Sequence, residues 1–267
     1  MENSKPYALI TGGTSGIGLE LAKLFAENGY HLVLVARDRD VLEATAAELK
    51  FYGGEVVTLS KDLFDNEEAF AVYADVKSMG IEIDVLVNDA GQGEFGEFKE
   101  TDIDRELDII NLNISALVIL TKLFVKDMVA RNSGKILNLA SIASKVPGPW
   151  QAVYHGTKAF VLSFSEAIRE ELRDTDITVT ALMPGPTDTD FFAKADMLQS
   201  RIVQDKDSLS DPAVVAKDGY EALMRGDDKV ISGFKNKVQV GVSNLAPDST
   251  VAHMMYEQQK PADGSET

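Results

Sequence analysis

Apolar residues along this chain fall into short β-branched runs, separated by longer stretches in which they recur every three or four positions. The runs are Tyr7–Thr11, Leu32–Ala36, Val56–Leu59, Val85–Asn88, Lys135–Ala140, Ile177–Met183 and Lys229–Ser232. Between them lie patterns of helical length at Gly16–Asn28, Arg39–Phe51, Glu67–Met79, Asp102–Arg131 and Val153–Asp174. Val33-Leu34-Val35 and Val85-Leu86-Val87 show no polar alternation, as expected of strands covered by helices on both faces. Strand and helix in alternation predict βαβ units, hence an α/β fold with a doubly wound parallel sheet. Right-handed crossovers make the Rossmann-like arrangement the leading topology.

Neither a linker nor an internal repeat interrupts this pattern, so a single domain through residue 260 is expected. After Met183 the pattern loosens. An apolar-rich flap is expected at about 190–210, centred on Phe191–Ile202, then a helix at Pro212–Met224 and a small C-terminal helical extension. The polar end that begins at Lys260 is expected to be disordered over 261–267.

Charge narrows the function. Asp and Glu number 43 against 26 Lys and Arg, a net charge of −17 with no basic stripe, which argues against a nucleic-acid partner. With no cysteine, thiolate metal sites, disulfides and cysteine nucleophiles are excluded, and no metal site is expected. Met1–Pro6 lacks the apolar core of a signal peptide, and no uninterrupted apolar run of about 18 residues suggests a membrane span. A cytoplasmic location is expected.

The first strand runs into Thr11-Gly-Gly-Thr-Ser-Gly-Ile-Gly18 and then an apolar-periodic helix. Glycines there let backbone approach a pyrophosphate, and the helix N-terminus offers free N–H groups. Gly12, Thr14, Ser15, Gly16, Ile17 and Gly18 are therefore candidate dinucleotide contacts. At the end of the second strand, Ala36 leaves room and Arg37 supplies a charge for the 2′-phosphate of NADP, whereas Asp38 has the spacing of an NAD ribose acceptor. NADP is the expected cofactor, with NAD as the alternative.

A tyrosine and a lysine four apart share a helix face, and an ammonium there favours ionisation of the phenol. With a serine to hold the substrate oxygen, such a set moves a proton while a nicotinamide moves a hydride. Ser141, Tyr154 and Lys158 have this form, but Ser60, Tyr73, Lys77 and Ser243, Tyr256, Lys260 repeat the same spacing. Context selects the first set, because Ser141 alone ends the fifth strand, on the nicotinamide side of the sheet's switch point. Trp150, Phe191, Phe192 and Met197 suggest an apolar or aromatic-tolerant substrate pocket, with Trp150 and Phe191 the candidate contacts.

Taken in order, Thr11–Gly18, Asp62, Asn88-Asp-Ala-Gly91, Asn113, Ser141, Tyr154-His-Gly-Thr-Lys158 and Pro184-Gly185 with Thr187 and Thr189 resemble the short-chain dehydrogenase/reductase family through about residue 190. The resemblance implies that Tyr154 is the acid/base, that Lys158 lowers its pKa and holds the nicotinamide ribose, and that Ser141 positions the carbonyl. It makes Asn113, rather than Asn111, the holder of a proton-relay water. It places Asp62, Leu63, Asn88, Ala90, Gly91, Pro184, Gly185, Thr187 and Thr189 around the cofactor. It also implies a homo-oligomer, dimer or tetramer, joined through the long helices Asp102–Arg131 and Val153–Asp174. Asp89 departs from the family's usual asparagine, with little consequence expected beyond local hydrogen bonding. His155, about 100° around the helix from Tyr154, reads as structural or surface. The expected activity is interconversion of a small-molecule carbonyl and a secondary alcohol. A cofactor-binding regulator without turnover and an epimerase or dehydratase of the same superfamily are the alternatives.

Overall fold

A computed structural model describes residues 5–205, 208–243 and 247–262. Seven strands, β1 (Tyr7–Thr11), β2 (His31–Ala36), β3 (Val56–Ser60), β4 (Ile83–Asn88), β5 (Gly134–Leu139), β6 (Ile177–Met183) and β7 (Lys229–Ile231), form one sheet in the order β3-β2-β1-β4-β5-β6-β7. All six pairings are parallel, so the order reverses between β1 and β4, as in a doubly wound Rossmann-like fold.

The missing alternation in the strands has a direct cause. Ala8, Ile10, Leu32, Leu34, Val85 and Val87 point into one core with helices α1 (Gly16–Glu27) and α2 (Arg39–Leu49). Their sequence neighbours Leu9, Val33, Val35 and Leu86 point into a second core, under α3 (Asn66–Ser78). Both faces are covered, so consecutive positions at the centres of β1, β2 and β4 are apolar. Aspartates start the helices: Asp38 accepts from Asp40 and Val41 N–H, and Asp65 from Glu67 N–H.

The expected helix Asp102–Arg131 forms as one continuous helical stretch, Ile103–Arg131, made of α4 (Ile103–Ile110), a π-helical turn over Asn111–Ala116, and α5 (Leu117–Arg131). No proline or glycine marks the π turn. By length and composition Ile103–Arg131 is apolar enough to cross a bilayer, which a search for uninterrupted apolar runs overlooks. Here Leu112, Ala116, Leu120, Phe124 and Met128 pack it into the second core.

Helix α6 (Ala152–Glu171) follows β5, and Asp211 caps α9 (Pro212–Arg225) after two short helices, α7 (Phe191–Lys194) and α8 (Arg201–Gln204), in the expected flap. Phe192, Ala195 and Met197 bury that flap against Phe95. Two further helices, α10 (Phe234–Ser243) and α11 (Asp248–Gln259), make up the C-terminal extension. Contacts continue past it: Pro261 bridges to Ser200, and Ala262 N–H donates to Gln199 O. The rest of the expected disordered end, 263–267, lies outside the described residues.

Candidate active site

At the carboxyl edge of the sheet, beside the switch point, a cleft of about 1010 Å³ opens. One end is formed by the loop between β1 and α1. Gly12 (φ 73°) and Gly16 (φ 54°) adopt left-handed backbone, and a Cβ on Gly16 would meet Thr189 at 2.9 Å. Gly12, Thr14, Ser15, Gly16 and Ile17 line the cleft, whereas Gly18 lies beneath it, where a Cβ would sit 2.4 Å from Gly12 O. This cradle, open only to backbone and set at a helix N-terminus, fits a pyrophosphate.

Around the next strand ends stand Arg37, Asp62, Leu63, Ala90 and Gly91. The Arg37 guanidinium lies 4.9 Å above the Phe64 ring and 4.0 Å from Asp62. Asp38, the rival ribose acceptor, also lines the cleft, with its Oδ1 accepting the two hydrogen bonds that cap α2. Pro184, Gly185, Thr187 and Thr189 form the facing wall after β6.

Asn88 is a correction. It is 4% exposed and faces the interior, where Nδ2 donates to Thr121 Oγ1 at 3.0 Å and Asn138 Oδ1 at 2.9 Å. It ties strands and helix together and does not line the cleft. Thr11 Oγ1 performs the comparable fastening above it, accepting from Asp89 and Ala90 N–H, both at 3.1 Å.

Toward the other end, Ser141 follows β5 and caps a 3₁₀ turn, with Oγ accepting from Ala143 N–H at 3.1 Å. Tyr154, in the first turn of α6, shares the cleft wall with Ser141. Burial pushes the Tyr154 phenol up to about 12, against the hydrogen bond with Ser141. The expected lowering by Lys158 is therefore not what this geometry produces. The Lys158 Nζ lies 5.8 Å from the Tyr154 ring centroid and donates to Leu139 O at 2.7 Å. Its own burial pulls it down to about 8, against the Asp89 carboxyl.

Asn113, in the π turn, accepts from Gln92 N–H and donates to Gln92 O and Thr157 Oγ1. The wider turn aims Asn113 at the loop beside Gly91, where a Cβ would lie 3.3 Å from both Asn113 Oδ1 and Lys158 Nζ. Asn111 has no such contacts.

Asp89 matters more than expected. Its carboxyl is buried against Gly12 and Gly18, Oδ1 lacks a hydrogen-bond partner among the described residues, and burial pushes the group up to about 7 against the pull of Lys158 and the Gly18 N–H. His155 is buried and structural. Nδ1 contacts Val146 O at 2.9 Å, Nε2 meets the Gln259 amide at 3.1 Å, and burial lowers its pKa.

The two repeated serine–tyrosine–lysine sets stand elsewhere. Tyr73 Oη and Lys77 Nζ both donate to Asp127, and Ser60 Oγ donates to Arg37 O. Tyr256, on α11, lies 6.0 Å from Trp150, and Lys260 pairs with Glu257, while the Ser243 side chain lies outside the described residues. Trp150 itself (φ 69°) stacks on Phe95 behind the pocket rather than lining the cleft, whereas Phe191 lines it, 5.1 Å from Tyr154 between ring centroids. Sequence reasoning missed Gln151, Asn236, Met255 and Gln259, which also line the cleft. Of these only Gln151 carried a signal, one helical turn before Tyr154.

A model of the short chain dehydrogenase family matches residues 6–199. A very-long-chain 3-oxoacyl-CoA reductase of Laccaria bicolor is 39% identical over 180 residues, 66% of this chain and 53% of that protein, so the chain spans about half of that relative's length. An uncharacterized oxidoreductase, YvrD, of Bacillus subtilis is 36% identical over 71% of this chain and 72% of its own. Among solved structures, a short-chain dehydrogenase from Sphingobium yanoikuyae in complex with NADPH superimposes with a TM-score of 0.82 at 27% identity, covering 98% of this chain and 99% of that one.

Proposed function

The chain belongs to the short-chain dehydrogenase family of oxidoreductases, and on that premise we propose that it is an NADP-dependent carbonyl reductase or alcohol dehydrogenase. The observation that carries this reading is the convergence of Ser141 and Tyr154 on one cleft whose far end is the glycine cradle. Backbone N–H groups of that cradle would hold the pyrophosphate, with Thr187 and Thr189 closing over it. Arg37 would meet the 2′-phosphate, since its guanidinium lines the cleft and Phe64 supports it from below. The NADPH-bound Sphingobium structure supports the same choice.

When bound, the nicotinamide supplies or accepts the hydride at the carbonyl carbon. Ser141 Oγ holds the substrate oxygen, and Tyr154 Oη gives it a proton or takes one from it. Lys158, whose Nζ lies 5.8 Å from the phenol ring centroid, would hold the nicotinamide ribose beside the proton path. Asn113 and Thr157 hold the exit side of that proton path. Phe191, Phe192 and Met197 exclude water around the reacting carbon. A homodimer or tetramer through the long helices would cover the exposed Ile103, Leu107 and Phe160, and a cytoplasmic location belongs to the same reading.

The test is a panel of ketones, 3-oxo esters and secondary alcohols with each of the four nicotinamide cofactors, followed at the absorbance of the reduced ring. Turnover of at least one carbonyl with NADPH is expected. Failure with every pair, by a folded protein that binds NADPH, would sink the reading.

A further inference from the structure

Phe64 follows β3 beside the end of β2 that leads into Arg37, since Ala36 and Ser60 are paired in the parallel register. Its ring lines the cleft and also packs against the second core, which fixes it as a shelf. Two guanidinium groups lie over that ring. Arg37 stands 4.9 Å from its centroid, and Arg105, on α4, stands 5.4 Å from it.

The two arginines are held differently. Arg37 has one ionic partner among the described residues, Asp62 at 4.0 Å, and both side chains are 52% exposed. A pair so exposed restrains a side chain weakly, and a loose arginine loses rotamer freedom when it grips an anion. Arg105 is 25% exposed, pairs with Glu94 at 3.5 Å and donates to Gln92 Oε1. Its charge is already balanced. Among the described residues, none of α4 lines the cleft, so Arg105 stands outside the space a cofactor would fill.

We propose that Phe64 and Arg105 are positioning residues for cofactor choice. Arg105 fixes the Phe64 ring from outside the cleft, and the ring presents the Arg37 guanidinium to the 2′-phosphate of NADP. An aromatic face attracts a guanidinium, which an aliphatic side chain of similar size does not. Discrimination between NADP and NAD therefore depends in part on an α4 side chain that touches neither. This inference rests on the assignment of Arg37 to the 2′-phosphate.

The test measures dissociation constants of NADPH and NADH by nicotinamide fluorescence and reads their ratio. In Phe64→Leu the preference for NADPH should fall about three- to fivefold, the worth of one exposed cation–aromatic contact, with NADH affinity within about twofold of the parent. Retained NADH affinity shows that the variant is folded. Phe64→Tyr keeps an aromatic face and should keep the parent's ratio. Arg105→Met should lower the ratio by about twofold or more. In an Arg37→Ala background, Phe64→Leu should leave the ratio unchanged, because no guanidinium remains to be placed.

Equal losses for NADPH and NADH in Phe64→Leu would mean that the ring touches the part of the dinucleotide they share, and would overturn the proposal. So would a fall of the same size in the Arg37→Ala background. An unmoved ratio in Arg105→Met would overturn the role of that residue. A parent that binds NADH as tightly as NADPH defeats the Arg37 assignment itself, and the proposal with it. A parent that prefers NADPH, with that preference intact in Phe64→Leu, overturns the positioning role alone.

Discussion

Replacing Asp89 by asparagine should change how stability depends on pH. The carboxyl is buried beneath the glycine loop and pushed up from 3.8 to about 7. In the unfolded chain it loses its proton near 3.8, whereas in the folded protein it keeps the proton until about pH 7. The unfolded state therefore binds fewer protons across that window, and stability falls as pH rises through it, levelling off above about 7. At 1.36 kcal/mol per pH unit, the whole fall is at most about 4 kcal/mol, a figure that already includes the pull of Lys158 and Gly18. Asparagine does not titrate, so this fall is absent in Asp89→Asn. The variant should gain on the parent by about 2–4 kcal/mol between pH 4 and pH 8, whatever constant offset its amide adds. Urea unfolding of both proteins at closely spaced pH values reads the gap directly, since groups not facing Asp89 cancel in the difference, and Lys158, pulled further down without the carboxylate, widens it only near pH 8. A gap that stays constant from pH 4 to pH 8 would refute the reasoning, because the carboxyl would then be ionised normally in the folded state.

Arg37→Ala should lower the preference for NADPH over NADH by about ten- to a hundredfold, chiefly through KM, as expected for a charge-assisted hydrogen bond worth roughly 1.5–3 kcal/mol. A parent that prefers NADH would refute the assignment. Lys158→Met should lower both kcat and NADPH affinity, because it removes the ammonium that donates to Leu139 O beside the phenol and would hold the nicotinamide ribose. A variant that keeps both the parent's kcat and its NADPH affinity would count against that role. Tyr73→Phe and Tyr256→Phe should leave kcat within about threefold of the parent, since exposed or surface-paired groups away from the cleft rarely matter by more than tenths of a kcal/mol; a dead variant among them would reverse the choice among the three sets.

The sheet was legible because each central strand is buried on both faces, which removes the ambiguity that alternation creates. Helix starts were legible where aspartates cap them, as at Asp38 and Asp65. The π turn was not, because Asn111–Ala116 contains ordinary helix-compatible residues, and the bonds from Asn113 to Gln92 and Thr157 that accompany it are tertiary. Neighbouring residues of one motif also part company at a strand end. Asn88 turns into the core, Asp89 goes under the glycine loop, and Ala90 reaches the cleft. Which dinucleotide phosphate or hydroxyl Arg37 and Asp38 would face could not be read from spacing alone, because the two neighbours both line the cleft. Helix α11 was faint because, among its described residues, only Val251, Met255 and Gln259 are buried, and one of these is polar.

The central claim is that Tyr154 moves the substrate's proton in a cleft that also holds the cofactor. Its most direct test is kcat for a reduced carbonyl in the parent and in Tyr154→Phe, paired with NADPH affinity measured by nicotinamide fluorescence. The account predicts a loss of about 10²-fold or more in kcat, the usual worth of general acid catalysis, with NADPH affinity within about threefold of the parent, a change under 1 kcal/mol. Tyr154→Phe turning over at the parent's rate, with the cofactor bound equally well, would contradict it.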